Sequence, residues 1–163
     1  PGSICTTRMV AGIGVPQITA IMEVSTALKG KNIKIISDGG IKFSGDIAKA
    51  LGVGAHCVMI GSLIAGTDDD AGKIIETRSG LSKRYRGSAS LETKSAHGQE
   101  QRNVEGESTT IPYKGGVKFV INGLLDGVKS ALSYAGSEDL DNFHPKYIQV
   151  TNSGLREAQP HLI

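Results

Sequence analysis

The sequence predicts an α/β fold built on a parallel β-sheet, and three features predict it. Two short segments rich in β-branched and apolar residues, 32–37 and 56–60, each lead directly into a glycine-rich turn. Two segments with helical character, 17–29 and 45–51, alternate with them along the chain. Such alternation is typical of parallel sheets, in which the functional loops follow the carboxyl ends of the strands.

The first helix and strand are predicted from apolar spacing and from a turn. Apolar residues recur at close to helical spacing over 17–29, namely Ile18, Ile21, Met22, Val24 and Leu28. The β-branched segment 32–37 (NIKIIS) then ends in Asp38-Gly39-Gly40, which is a turn sequence. The pattern therefore predicts a helix followed by a strand that ends at a loop able to approach a ligand.

The second helix and strand repeat this arrangement. Ser44 is predicted to cap helix 45–51, which ends at Gly52 because glycine terminates helices readily. Segment 56–60 (HCVMI) is predicted to be a buried strand, with Cys57 as an ordinary core residue, and it ends in Gly61-Ser62. Both strands are therefore expected to deliver a glycine turn to the same edge of the sheet.

The second half of the chain is less regular. From Thr67 to about Pro112 no periodicity is evident, and the acidic run 68–70 is interpreted as a solvated loop. Residues 82–103 are polar and lack an apolar period, so a lid, a binding loop or disorder is expected there. A helix over 117–134 and a short strand over 147–150 complete the prediction.

Composition excludes several classes of protein. The net charge of +2 in 163 residues comes from scattered lysines and arginines, which argues against a nucleic-acid partner. No apolar run reaches the length of a membrane span, so no membrane is expected. Two cysteines provide no disulfide framework, which favours a cytoplasmic location. Most of the 22 glycines are expected in turns and in loops that face a ligand.

The start of the chain suggests that a longer protein precedes it. The first residue is proline, and the segment with the clearest chemistry begins at once. Two strands cannot close a barrel and would leave bare sheet edges. If the alternation belongs to a (β/α)₈ barrel, the chain holds its last quarter and a C-terminal extension, and we expect the other strands from an N-terminal part.

Cys5 is the leading nucleophile candidate, and two glycine turns are the leading anion sites. Cys5 lies among small and hydroxylated residues, as a reactive loop thiol does, although a loop cysteine without a task remains open. Turns 37–40 and 60–62 follow strands, where backbone N–H groups can bind phosphate, although ordinary βα turns use glycine too. Glu105, shortly after Arg102, is a weaker candidate for a base.

Eight segments together resemble the IMP dehydrogenase and GMP reductase family. They are PGSICTTR (1–8), GVPQITAI (14–21), ISDGGIKFSGDIAKAL (36–51), MIGSLIAGT (59–67), YRGSAS (85–90), VEG (104–106), PYKG (112–115) and GLREAQPH (154–161). The resemblance implies a fold of the α/β class, namely a (β/α)₈ barrel of which this chain is the C-terminal part. It implies that residues 1–66 hold the cysteine loop and last βα units, 67–116 the mobile loop and active-site flap, and 117–163 the C-terminal helix and tail.

The resemblance also implies roles for individual residues. Cys5 would attack C2 of a purine nucleotide, and Thr7 and Glu105 would form a dyad that assists proton transfer. Arg102 matches the flap arginine that activates water in the dehydrogenases. Substrate would be bound by Ser3, Asp38, Gly39, Gly40, Gly61, Ser62, Tyr85, Gly87, Ser88, Ala89, Glu105 and Gly106. A potassium ion would be coordinated by Gly2 and Cys5, together with Glu157, Ala158 and Gln159 of a neighbouring subunit in a homotetramer.

Two reactions of the family remain open, with a preference for the first. The dehydrogenase reaction oxidises IMP to XMP with NAD, and GS and AGT in MIGSLIAGT together with the tail LREAQPH favour it. The reductase reaction converts GMP to IMP with NADPH, and Asn103 in place of the usual tyrosine and the short flap 90–105 favour that one. Ala89 replaces a usual glycine, and the glycine residues that usually precede Pro1 are absent. A non-catalytic fragment or assembly module is the third alternative.

Overall fold

The computed structural model describes residues 4–88, 90–98, 108–151 and 153–154, in an α/β arrangement with two separate small sheets. The elements are α1 (Thr7–Ala11), α2 (Gln17–Ala27), β1 (Ile36–Asp38), α3 (Ser44–Gly52), β2 (Cys57–Met59), β3 (Ile74–Thr77), β4 (Gly80–Arg86), α4 (Leu91–Ala96), β5 (Ser108–Pro112) and α5 (Val117–Tyr134). Helices 17–29, 45–51 and 117–134 are thereby confirmed to within two residues at either end.

The two predicted strands form a parallel pair, as expected, but β1 begins only at Ile36, so the predicted strand 32–37 is wrong over 32–35. Strand β1 pairs with β2, with Ser37 opposite Val58 and Asp38 opposite Met59. Ser37 is only 1% exposed, and Val58 packs against the helices. The other face of the pair leaves Ile36, Cys57 and Met59 exposed, so the prediction of a buried Cys57 is wrong. Alternate residues of a strand face opposite sides, and in the described residues the helices cover only one of them.

The core lies between this parallel pair and three helices. Its buried members are Ile21, Ile41, Ile47, Ala50, Ala55 and Val128. Helices α3 and α5 approach closely, and a Cβ built on Gly127 would overlap the Ser44 side chain. Ser44 is the first residue of α3 and not its predicted cap. The preceding N–H groups of Lys42 and Phe43 instead donate to the Asp46 carboxylate, at 3.0 and 3.1 Å.

The expectation of an irregular segment from Thr67 to Pro112 is wrong. Strands β3, β4 and β5 form an antiparallel sheet in chain order, and helix α4 lies between β4 and β5. The buried positions of β4 are Ser82 and Lys83, which are 5% and 3% exposed. These two residues are adjacent, so they are buried on opposite faces of the strand, and both are polar. The strand therefore has no apolar alternation by which its sequence could reveal it.

Two smaller predictions hold only in part or fail. The acidic run 68–70 is a loop with Asp68 and Asp69 exposed, as predicted, but Asp70 is half-buried, and its carboxylate accepts hydrogen bonds from the Gly66 and Gly72 N–H groups at 2.8 and 3.0 Å. Segment 147–150 forms no strand, and Ile148 is 84% exposed. Its β-branched residues meet no neighbouring strand in the described part of the chain. Among the described residues, none of the helices is both long and apolar enough to cross a membrane.

Candidate active site

A cleft of about 490 Å³ opens between the carboxyl ends of β1 and β2 on one side and the end of β4 on the other. Every predicted site residue within the described ranges lines it: Cys5, Thr7, Asp38, Gly39, Gly40, Gly61, Ser62, Tyr85, Gly87 and Ser88. A volume of this size suits a small-molecule ligand. The structure therefore brings together residues that are up to 83 positions apart in the sequence, from Cys5 to Ser88.

The turn after β1 has a backbone that requires glycine. Gly39 and Gly40 have φ angles of 94° and 79°, in the left-handed region that other residues rarely adopt. Gln17, the first residue of α2, donates a hydrogen bond from Nε2 to the Asp38 carbonyl at 3.1 Å. Helix α2 thereby anchors the end of β1, and the exposed Asp38 side chain lines the cleft.

The turn after β2 is anchored from behind by a lysine. The Gly61 carbonyl accepts hydrogen bonds from the N–H groups of Ile64 and Ala65. Lys114 Nζ donates to the carbonyls of Ser62 and Leu63 at 3.1 and 3.0 Å. Because the carbonyls of Gly61, Ser62 and Leu63 are all hydrogen-bonded within the chain, the turn has a fixed position beside the cleft.

Cys5 lies at the opening of the cleft with a hydroxyl beside its thiol. Its side chain is exposed, and its Sγ is 3.2 Å from Thr7 Oγ1. Thr7 is half-buried and begins helix α1. An exposed sulfur next to a proton-carrying group, within a cleft, is an arrangement suited to nucleophilic attack on a bound ligand.

Sequence reasoning missed several cleft residues. Ile4, Ile41, Lys42, Met59, Ile60 and Arg86 also line it. Two of them are cations: Lys42 follows the first glycine turn, and Arg86 is next to Tyr85. Their positions beside predicted ligand residues could have identified them from the sequence. Arg86 is paired with Glu92, with 3.6 Å between Nη1 and Oε1. Hydrogen bonds from Ser108 and Arg84 lower the pKa of the Glu92 carboxyl, which keeps it anionic.

The remaining predicted site residues lie outside the described residues. They are Gly2, Ser3, Ala89, Arg102, Glu105, Gly106, Glu157, Ala158 and Gln159. Their roles stay predictions. Within the described ranges, no three His, Cys, Asp or Glu side chains are grouped so that they could hold a metal ion.

Comparison with known proteins extends over nearly the whole chain. The sequence model of the IMP dehydrogenase / GMP reductase domain matches residues 1–161. The chain belongs to this family. The resemblance predicted from its motifs is thus confirmed.

Individual members of the family agree with this assignment. The inosine-5'-monophosphate dehydrogenases of Rhizobium tropici and Bacillus subtilis are each 45% identical to the chain, over 99% of its length. A crystal structure of GMP reductase C318A from Trypanosoma brucei, in complex with guanosine 5'-monophosphate, superposes on the whole chain with a TM-score of 0.92 and 34% identity. The chain spans 35% of the length of each of these three relatives.

Proposed function

We propose that this chain carries the nucleophile and the nucleotide-binding turns of an IMP dehydrogenase, which oxidises IMP to XMP with NAD. The observation that carries the proposal is that Cys5 shares one cleft with the glycine turns after β1 and β2. A sulfur and two candidate phosphate-binding turns in one cleft match a substrate with a reactive ring and a phosphate group. The names of the relatives favour the dehydrogenase reaction.

The cleft suggests how such a nucleotide would bind. Backbone N–H groups of Gly40, Gly61 and Ser62, with the Tyr85 hydroxyl and Ser3, would bind the phosphate. Lys42 and Arg86 line the same cleft and would offset its negative charge. The Asp38 carboxylate would accept hydrogen bonds from the two ribose hydroxyls. The base edge would meet Gly39, Gly87, Ser88, Ala89, Glu105 and Gly106.

The proposed reaction proceeds through a covalent bond to sulfur. The Cys5 thiolate adds to C2 of IMP, and the loss of hydride from C2 leaves a thioimidate. NAD supplies the acceptor for that hydride when it is bound. Water then attacks the same carbon, which releases XMP, regenerates the thiolate and leaves one proton to solution. Thr7 and Glu105 would accept the proton from this water, and Arg102 would help to activate it.

A potassium ion and an oligomer form part of the proposal. Of the proposed ligands Gly2, Cys5, Glu157, Ala158 and Gln159, the structure describes only Cys5. Carbonyl and carboxylate oxygens are the donors that hard cations prefer, so the set fits potassium in its chemistry. The last three would come from a neighbouring subunit, and we therefore propose a homotetramer, located in the cytoplasm.

We further propose that the other strands of a (β/α)₈ barrel cover the exposed face of the parallel pair. Ile36, Cys57 and Met59 on that face are apolar and exposed. Such a patch on a strand pair is typical of a surface that another element covers. Under this proposal residues 1–66 supply the last βα units, 67–116 the flap region and 117–163 the C-terminal segment. We call this chain together with those preceding strands the full-length protein.

The second candidate function is that of a GMP reductase, with NADPH as hydride donor. Asn103 after Arg102 favours it, because a reductase needs no water-activating pair. The superposition on a GMP reductase of Trypanosoma brucei favours it as well. A non-catalytic assembly module is the third candidate, and the exposed face of the strand pair favours it.

The deciding experiment follows absorbance at the wavelength of the reduced nicotinamide in the full-length protein. We expect absorbance to rise with IMP and NAD and to stay constant with GMP and NADPH. A fall with GMP and NADPH alone would establish the reductase instead. Inactivity with both pairs, in a sample shown by mass spectrometry to be intact, would favour the assembly module. Cys57→Ala, at the other cysteine of the chain and outside the cleft, is the matched control for Cys5→Ala.

A further inference from the structure

A single buried ammonium group organises the segment that follows β2. Lys83, in the middle of β4, is 3% exposed. Its Nζ donates to the carbonyl oxygens of Thr67 and Asp70 at 2.7 Å each and of Asp68 at 3.4 Å. Three carbonyls thus converge on one cation, and the ammonium has three protons with which to satisfy them.

The Asp70 side chain binds backbone donors of the same segment, whereas Lys83 binds its acceptors. Its carboxylate accepts from the Gly66 and Gly72 N–H groups. Burial raises the pKa of Asp70, but these two hydrogen bonds and the charge of Lys83 outweigh it and lower the pKa overall. Lys83 and Asp70 together therefore fix both the acceptors and the donors of residues 66–72.

This arrangement connects the two walls of the candidate active site. Residues 61–67 form one continuous turn, in which Gly61 accepts from Ala65 and Ile64 accepts from Thr67. Gly61 and Ser62 at its start line the cleft. Lys83 and Tyr85 are two residues apart on β4, so their side chains leave the same face of the strand. Tyr85 lines the opposite wall, and a Cβ on Gly61 would lie 3.8 Å from its hydroxyl.

We infer that Lys83 is a positioning residue for the anionic group of the substrate. Through its three carbonyl contacts it holds the Gly61-Ser62 turn at a fixed distance from Tyr85, so that both can reach one anion. The inference depends on the proposed function for the nature of the ligand, a nucleoside monophosphate. It does not place Lys83 in contact with that ligand, since Lys83 lies behind the cleft wall and does not line it.

Removal of the ammonium leaves a site that a small cation can refill. In Lys83→Ala, the carbonyls of Thr67, Asp68 and Asp70 lose their hydrogen bonds from the ammonium, and the Thr67 carbonyl keeps only the one from the Asp70 N–H. The space that the side chain leaves matches n-propylammonium. Lys83→Met removes the same ammonium but fills the space, so added amine has no room to bind. Lys118→Ala, at an exposed position on α5, is the matched control for loss of a lysine charge.

The experiment measures kcat and KM for IMP in the full-length protein, with and without n-propylammonium. We expect KM to rise about tenfold in Lys83→Ala and Lys83→Met, because buried acceptors lose their partner, while kcat changes less than threefold. The amine should restore KM in Lys83→Ala only. A KM unchanged in both variants, a loss confined to kcat, or an amine without effect would overturn the inference. So would failure of both variants to fold, as judged by circular dichroism, because Lys83 would then have a general structural role.

A second readout separates this inference from the proposed function. Hydrogen exchange of a peptide spanning 61–72 and calorimetric binding of IMP require no turnover. If wild type turns over neither substrate pair, the proposed reaction fails, but faster exchange and weaker IMP binding in Lys83→Met still support the inference. Unchanged exchange and unchanged binding would overturn it whatever the reaction.

Discussion

The sulfur of Cys5 lies 3.2 Å from the hydroxyl oxygen of Thr7. This contact spans two residues and places a group able to donate or accept a proton beside the proposed nucleophile. The short separation arises because the chain turns into helix α1 directly after Cys5. A change at Thr7 is therefore expected to act on chemistry more than on binding.

Thr7→Val removes this hydroxyl and keeps the shape of the side chain. We expect kcat to fall about 100-fold, because proton transfer by a positioned group contributes on this scale. KM for IMP should change little. Thr7→Ser, which retains the hydroxyl, is the matched control and should keep most of the activity. A similar loss in both variants, measured by steady-state kinetics, would contradict a role for the hydroxyl.

Asp38 is expected to bind ribose, and this can be tested with a modified substrate. Asp38→Ala should raise KM for IMP about tenfold, since a charge-assisted hydrogen bond is lost. With 2'-deoxy-IMP the same substitution should have a smaller effect, because one partner is already absent. If the two losses are additive, Asp38 does not contact the 2'-hydroxyl.

Two glycines of α5 provide a matched pair for packing. Gly127→Ala should destabilise the full-length protein by about 1–3 kcal/mol, because the new Cβ would overlap Ser44 at the start of α3. Gly123→Ala meets nothing within 4 Å and should stabilise the helix by up to about 1 kcal/mol. Thermal unfolding monitored by circular dichroism measures both. Equal shifts in the two variants would show that α3 and α5 do not pack as described.

Asp46 makes the stability of the fold depend on pH, and the lowered pKa of its carboxyl gives the sign of that dependence. Burial raises the pKa of Asp46, but hydrogen bonds from Lys49 and from the Lys42 and Phe43 N–H groups outweigh it and hold the pKa below the ordinary value of 3.8. A carboxyl with a lowered folded-state pKa stabilises the fold above its unfolded pKa and loses this effect as pH falls through its folded pKa.

Asp46→Asn should therefore be less stable than wild type by about 1 kcal/mol at pH 7, the usual contribution of a helix cap. The difference should shrink below pH 4. Denaturant titrations at several pH values measure it. A difference that is constant from pH 7 to pH 3 would show that the charge of Asp46 does not contribute.

The sequence predicted the parallel pair and the cleft more completely than the second sheet. Strand β1 and its turn were evident because β-branched residues lead directly into Asp38-Gly39-Gly40. Parallel pairing then places the ends of both strands at one edge, and this brings Asp38 to Gly61 without further information. The other predicted residues of the cleft follow from the motif around Cys5 and from the resemblance of the eight segments to the family.

The antiparallel sheet β3–β5 was not predictable from periodicity, because the two buried residues of β4, Ser82 and Lys83, are polar and adjacent. Lys83 is buried through contacts with carbonyls that are 13 to 16 residues away in sequence. Such a partner set cannot be read from local pattern. Cys57 illustrates a different limit, since an apolar strand residue faces either side of a sheet and sequence does not say which side is covered.

The proposed covalent bond between Cys5 and C2 of the purine ring can be trapped chemically. The experiment is acid quench of the full-length protein during turnover of IMP and NAD, followed by digestion and mass spectrometry of the peptides. We expect a nucleotide adduct on the peptide that contains Cys5, absent in Cys5→Ala and present in Cys57→Ala. An adduct on the Cys57 peptide, or turnover that continues in Cys5→Ala, would contradict it.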